Sequence, residues 1–293
     1  MNLKPILFGV AVMIAATLCA APVKVACVGN SVTYGACLPD RDTQCYPARL
    51  QRLLGDGYEV RNFGHSGATL LTKGHRPYVK QQAYRDALAY AADVVVIHLG
   101  LNDTDPRNWP DFRDDFVRDY VNLIDDFRKA NPQAKIYVCR MTPIFHSHPR
   151  FKSGTRDWFR LEQNAIDVVA EATGAVLIDL HKPLGLRPDL FPDALHPDPE
   201  GASIIANTVY SGLTGDHGGL SVDPVYGSGM VLQRGRPIVV SGSANAGETV
   251  TVKFNGEKAE TISGPDCRWS VELPAMSASD KGTYMEISAA DKC

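Results

Sequence analysis

Val23-Lys24-Val25-Ala26-Cys27-Val28-Gly29-Asn30-Ser31-Val32-Thr33-Tyr34-Gly35 begins with an apolar run broken only by Lys24 and ends in a glycine-bounded polar turn. A short apolar run without polar alternation predicts a strand buried on both faces, as in a parallel sheet covered by helices. Runs of the same texture recur at Tyr58–Phe63, Asp93–Leu99, Lys135–Arg140 and Ala175–Leu180. Between and after them lie helix candidates at Tyr46–Leu54, Tyr78–Ala91, Phe112–Ala130, Asp157–Thr173 and Gly201–Leu213. In the third of these, Phe116, Tyr120, Leu123, Ile124 and Phe127 recur at helical spacing. The alternation predicts an α/β fold, a three-layer α/β/α sandwich around a five-stranded parallel sheet. Functional groups are then expected at the carboxyl ends of the strands.

The texture changes after Leu213. Residues 214–219, Thr-Gly-Asp-His-Gly-Gly, read as a linker. Beyond it the runs are short and alternating: Pro237–Ser241, Thr249–Phe254, Lys258–Ile262, Trp269–Leu273 and Tyr284–Ile287. Asn255-Gly256 between two of them is a hairpin signal. Residues 21–213 are therefore read as an α/β domain and 220–293 as a small all-β module.

Of the 293 residues 44% are hydrophobic and 22% charged, the balance of a globular protein able to build a core. The net charge of -3 and the lack of a Lys/Arg run argue against nucleic acid or an anionic membrane surface as partner. Residues 1–20 resemble a secretory signal: Lys4, an apolar run from Ile6 to Leu18, then small residues with cleavage near Ala20. The run is too short for a comfortable span, so no membrane insertion is expected after cleavage. Leu18 before Cys19 is bulkier than lipid attachment normally tolerates, which favours soluble export, periplasmic or extracellular, over a lipoprotein. Export permits disulfides. Cys37 and Cys45 flank a loop and are the candidate pair, whereas Cys27 and Cys139 sit inside strands as buried thiols. There is no Cys-x-x-Cys, and His146-Ser147-His148 has no carboxylate or cysteine nearby to complete a ligand set, so no metal site is read.

The chemistry lies at the strand ends. Ser31, just past the first strand, is placed as an exposed nucleophile whose own N–H can face an oxyanion. Gly64, ending the second strand in Asn62-Phe63-Gly64-His65-Ser66-Gly67, permits close backbone approach and offers a second N–H. Asn102, in Gly100-Leu101-Asn102-Asp103, can add its side-chain amide, which completes the requirement for an oxyanion hole. Asp193-Ala194-Leu195-His196, between Pro192 and Pro197, puts a carboxylate and an imidazole within reach across one turn; Asp193 can hold Nδ1 and leave Nε2 free as base. Taken singly, these pieces also read as an ordinary βα turn, a turn glycine, a helix cap or Asx turn, and a solvated loop. A competing nucleophile is Ser66, whose Gly64-His65-Ser66-Gly67-Ala68 context approaches a nucleophile elbow apart from Ala68. The compact Asp193–His196 couplet favours Ser31. His65 and His75 are placed near this face, where they are expected to line the substrate cleft, His65 as a substrate-binding residue. Trp109 reads either as a sugar-facing wall or as packing, Asp40-Arg41 either as a pocket edge or as a surface ion pair, and His98 as a core residue.

Together these segments resemble the SGNH (GDSL-type) hydrolase superfamily: Gly29–Gly35, Gly64, Gly100-x-Asn102-Asp103 and Asp193-x-x-His196, over about residues 23–213. Asn30 stands where the GDSL motif has Asp, as in many members. The resemblance implies a flavodoxin-like SGNH hydrolase fold, catalytic Ser31, Asp193 and His196, an oxyanion hole from Ser31, Gly64 and Asn102, and no metal or cofactor. Tyr46–Leu50 and Asn62–Leu71 are especially similar to bacterial acetylesterases acting on carbohydrates, which implies an acetylated glycan as substrate.

The later segment Gly229–Arg234, with Gly247-Glu248, Trp269 and Leu273–Met276, looks like the β domain of sialate O-acetylesterases. In that family the β domain accompanies a catalytic domain of its own, whereas this sequence stops soon after Ile287. The resemblance thus implies a piece, or a truncated relative, of a longer enzyme with two hydrolase domains. The expected function is a serine esterase removing acetyl groups from carbohydrate. The alternatives are a lysophospholipase or thioesterase of the same superfamily, which would need an apolar acyl groove, and a carbohydrate-binding protein with a silent hydrolase domain.

Overall fold

The structure is a computed structural model that describes residues 21–149, 155–245, 247–264 and 267–289. The expected signal segment lies outside the described residues, as does the chain after Ala289. Strands β1 (Val23–Gly29), β2 (Tyr58–Gly64), β3 (Val94–His98), β4 (Lys135–Arg140) and β5 (Val176–Asp179) form one parallel sheet in the order β2-β1-β3-β4-β5. This doubly wound order reverses direction at β1, whose carboxyl end therefore faces a crevice between diverging crossovers. β1 and β3 are buried almost throughout because helices cover both sheet faces.

The covering helices are α1 (Ser31–Tyr34), α2 (Tyr46–Leu54), α3 (Gln82–Tyr90), α4 (Phe116–Ala130), α5 (Thr155–Thr173) and α6 (Pro199–Thr214). In α4 the buried residues are Phe116, Asp119, Tyr120, Leu123, Ile124 and Phe127, the stripe the sequence spacing predicts plus one aspartate. Two expected helices begin late. Tyr78–Lys80 is a separate 3₁₀ turn, because Gln81 is extended and interrupts the run before α3. Ahead of α4, Trp109–Phe112 and Arg113–Asp115 form two short turns. The helix α6 is capped by Asp198, whose carboxylate accepts from the Gly201 N–H, and has Pro199 in its first turn.

After α6 the chain builds two three-stranded antiparallel sheets. One has the order β10-β7-β6, from β6 (Ser221–Val222), β7 (Ile238–Ser243) and β10 (Arg268–Leu273). The other has β11-β8-β9, from β8 (Thr249–Phe254), β9 (Glu257–Ile262) and β11 (Met285–Ala289). Asn255-Gly256 joins β8 to β9 with both residues at positive φ, as a two-residue type I′ hairpin turn demands. Strict alternation along β10 buries Trp269, Val271 and Leu273 against Val240, Val250 and Val252. This apolar cluster shares no residue with the larger one around the parallel sheet.

Candidate active site

The site is assembled from the outer ends of the strands. The N-cap of α1 is Asn30, whose buried Oδ1 accepts from the Val32 N–H at 3.0 Å. The cap turns the chain sharply as it leaves β1 and puts Ser31 at the first helical position, where its N–H has no intrahelical acceptor. Gly29 has to be glycine, since a Cβ there would overlap Thr33 Oγ1 and press on the His98 carbonyl.

Across the crevice, residues 193–196 form one tight turn with Ala194 in the left-handed region at φ 64. Oδ1 of Asp193 accepts from the N–H groups of Leu195 (3.0 Å) and His196 (2.6 Å), leaving Oδ2 for the ring. His196 Nδ1 lies 2.6 Å from Asp193 Oδ2, and Nε2 lies 2.8 Å from Ser31 Oγ. Burial works to raise the Asp193 carboxyl. The hydrogen bonds from the His196 ring and from the two backbone N–H groups, with the charge His196 can carry, outweigh it and hold the group below the ordinary carboxylate value. Asp193 is therefore anionic at neutral pH and fixes Nδ1 as the protonated nitrogen. Nε2 is then a base aimed at the serine hydroxyl.

The remaining strand ends are stitched to α1 and to one another by side chain to backbone bonds. Asn62 Nδ2 donates to the Thr33 carbonyl at 2.8 Å, tying β2 to α1. Buried Asp103 accepts from the Leu70 and Leu71 N–H groups at 2.9 and 2.7 Å, tying the loop after β3 to the loop after β2. Asn108 accepts from the His75 N–H at 2.9 Å and donates to the Asn102 carbonyl at 2.8 Å. Asn102, 5% exposed, donates one amide hydrogen to the Ala68 carbonyl at 2.9 Å.

Several expectations are corrected here. The Gly64 N–H does not face the nucleophile as a free donor, because it donates to Asn62 Oδ1 at 2.8 Å. Glycine is required there for packing: a Cβ would overlap the backbone nitrogen of Tyr34. Gly67 is the better donor. It lies at φ 78 in the turn closed by the Ala68 N–H to His65 carbonyl bond, next to the carbonyl that Asn102 holds, and its N–H has no acceptor among the described residues. Its position three residues past a strand end is the signal that the sequence reading passed over.

Cys37 and Cys45 are both free thiols. Cys45 is buried and receives the Asn62 amide at 3.6 Å, whereas Cys37 is exposed at φ 67 and faces Asp193 and His196, so the expected disulfide does not form. Trp109 is 4% exposed and packs edge-on against Phe116 at 5.6 Å, so it is part of the core and not a sugar-facing wall. Arg41 does not pair with Asp40; its guanidinium donates to the Tyr34 carbonyl at 2.9 Å and stacks 4.0 Å over the Tyr34 ring, bracing α1. His65 lies half-buried beside Gly64, and burial, then the Arg76 charge, lower its pKa and keep it neutral. The Ser66 carbonyl accepts from Arg76, and it is Ser31, not Ser66, that meets His196.

A family model described as GDSL-like lipase/acylhydrolase matches residues 27–204. The chain is 37% identical over 210 residues to an acetylxylan esterase from Xylanibacter ruminicola, a match that takes in 65% of this chain and 43% of that protein. It thus spans less than half the length of that relative. Among solved structures, an acetyl xylan esterase from Geobacillus stearothermophilus superposes with a TM-score of 0.50 at 20% identity, covering 66% of this chain and 94% of that one. A carbohydrate esterase family 3 structure from Talaromyces cellulolyticus gives 0.49 at 20% identity, covering 65% and 96%.

Proposed function

The chain belongs to the GDSL-like lipase/acylhydrolase family, and from that premise we propose that it is a serine esterase removing O-acetyl groups from carbohydrate. The observation that carries the proposal is the unbroken relay from Asp193 through His196 to Ser31, with contacts of 2.6 and 2.8 Å. Ser31 Oγ attacks the acetyl carbonyl as His196 Nε2 takes its proton. The N–H groups of Ser31 and Gly67 and the side-chain amide of Asn102 stabilise the oxyanion. His196 returns the proton to the departing sugar oxygen, leaving an acetyl group on Ser31. Water, deprotonated by the same nitrogen, then releases acetate. Every proton in the cycle passes through Nε2.

The substrate class is supported by the likeness to an acetylxylan esterase and by the similarity of Asn62–Leu71 to carbohydrate acetylesterases. Acetylated xylan and O-acetylated sialic acid are the two glycans to compare. The proposal includes export, supported by the leader-like pattern of residues 1–20. The test is acetate release from a panel of acetylated glycans, run beside short- and long-chain p-nitrophenyl esters. Acetate release lost in Ser31→Ala and retained in Ser66→Ala is expected. A preference for long acyl chains would sink the acetylesterase reading, and hydrolysis that survives Ser31→Ala would sink the nucleophile.

A further inference from the structure

We infer that Cys37, Asp193 and His196 form a site for a thiophilic divalent cation of the zinc class, and that filling it switches the esterase off. The inference rests on the catalytic reading of Ser31 and His196. Cys37 is an exposed thiol, whereas the other described cysteines are buried. It is carried by the turn that ends α1, where the Gly35 and Ala36 N–H groups both donate to the Ser31 carbonyl at 2.9 Å. Its left-handed backbone turns Sγ back toward the couplet, 3.8 Å from His196 Nδ1 and 4.0 Å from Asp193 Oδ2. Sulfur, imidazole nitrogen and carboxylate oxygen all lie within 4.8 Å of one another.

These separations are close to those of a metal site. With ordinary bond lengths, a tetrahedral zinc ion holds its sulfur about 3.6 Å from a nitrogen or oxygen ligand, and its nitrogen about 3.3 Å from an oxygen ligand. The thiol is already within half an ångström or so of that spacing. Only the 2.6 Å contact between Nδ1 and Oδ2 has to open. Three protein ligands and one water is the pattern of an open zinc site. Access is provided by the carboxylate, whose side chain is 45% exposed.

The chemistry balances without any redox change. The Cys37 thiol, held protonated by burial and by the Asp193 charge, releases its proton to solvent as the metal–sulfur bond forms. The metal takes the Nδ1 lone pair, so the single N–H of the neutral imidazole moves to Nε2. A protonated Nε2 cannot accept the Ser31 proton, and Asp193, bound to the metal, no longer fixes the productive tautomer. Nothing at Ser31 itself has to move for hydrolysis to stop.

The test has two arms on tag-free protein. Zinc ion is titrated into ester hydrolysis by the wild type and by Cys37→Ala, and cobalt(II) absorption is recorded for wild type, Ser31→Ala and Cys37→Ala. We expect zinc to inhibit the wild type and a chelator to restore it. Cys37→Ala should keep most of its basal rate, because the thiol lies outside the proton path from Ser31 Oγ to His196 Nε2. It should need about tenfold more zinc, or beyond, because losing a ligand costs at least what losing its supporting bond does. A thiolate-to-cobalt charge-transfer band should appear in wild type and Ser31→Ala and vanish in Cys37→Ala. Equal zinc sensitivity of wild type and Cys37→Ala, or a Ser31→Ala spectrum without the band, overturns the inference. A Ser31→Ala protein that shows the band but still hydrolyses ester would overturn the catalytic reading instead.

Discussion

The connections at the carboxyl end of the parallel sheet and those of the C-terminal β module are both loops between strands, yet they are held in different ways. Around Ser31 the loops are cross-tied by polar side chains: buried Asn30, Asp103 and Asn108 and half-buried Asn62 each bond to backbone. In the β module the long connections leave apolar side chains in solvent, with Val231 94% and Tyr284 98% exposed. They border an open hollow of about 800 Å³, lined in part by Tyr226, Met230, Phe254 and Met276, with no histidine in its wall. This hollow and the proposed catalytic groups are therefore separated in the chain. The proposed nucleophile and base lie on the loops whose positions are over-determined, as groups that must be held within fractions of an ångström require.

The sharpest way to break this contrast is at the nucleophile. Ser31→Ala should lower kcat by about 10⁴ to 10⁶, the range for losing a triad serine, without changing the thermal midpoint by more than a few degrees. Residual hydrolysis of wild-type magnitude, measured on a p-nitrophenyl acetate assay, would move the chemistry away from the strand ends altogether. Asp193→Asn should follow at about 10⁴, because the amide would stabilise the wrong tautomer while keeping the turn's shape.

Acid should weaken the same turn. The folded pKa of Asp193 is depressed, so the folded state holds its proton less tightly than the unfolded chain does. Its stabilising contribution is complete above the ordinary carboxylate value and disappears as the pH falls through the depressed one. In Asp193→Asn that part of the acid sensitivity should be absent when unfolding midpoints are compared down a pH series.

Asn102→Ala should cost about 10² to 10³ in kcat, the scale of one oxyanion donor. The bond that Asn102 makes to Ala68 adds a structural loss. A split between kcat and KM distinguishes the two: loss of an oxyanion donor falls on kcat, whereas a displaced Gly67 turn would raise KM as well.

How much of this was legible in the sequence follows from where the information sits. β4, α2 and β8 appear with the expected bounds, because an apolar run between turn residues, or Pro47 in the first turn of a helix, is local information. The same is true of the Asp193–His196 couplet, whose partners are three residues apart. The extended Gln81 that splits the second expected helix is not signalled by any glycine or proline at that point. Choosing the second-strand donor failed for a different reason. Gly64 and Gly67 look alike as letters, and only the Asn62 side chain, bonded to one of them, shows which N–H is already used. Cys37 lies 156 residues before Asp193, and nothing in a one-dimensional pattern brings them together.

A smaller effect comes from the sheet itself. His98 is fully buried at the end of β3, where desolvation pushes its pKa down from 6.5 to about 4, and its Nε2 accepts from the Thr142 N–H at 3.2 Å. The unfolded chain binds this proton more readily than the folded one. Stability from this residue is thus complete above the unfolded value and falls as the pH drops from there toward the folded value, by at most about 3 kcal/mol. Urea unfolding at pH 7.5 and 5 should show a smaller difference in His98→Gln than in the wild type, and an unchanged difference would remove His98 from the account.

The smallest effect on hydrolysis is expected where the largest side chain of the β module is removed. Trp269 is 3% exposed, and Gly242 opposite it has room for no Cβ because the Ser221 carbonyl and the indole ring both lie there. Trp269→Ala should destabilise the module by about 3–5 kcal/mol, the usual cost of emptying an aromatic core position. Its apolar cluster is separate from the one beneath Ser31, so turnover of a small acetyl ester should stay within about twofold, the size of an uncoupled change. Calorimetry on the variant should then show one transition shifted down and the other in place. If kcat fell in step with the lost module, the two regions would be energetically one, and the exposed apolar connections around Val231 and Tyr284 would have to be counted as part of the machinery that holds the strand ends.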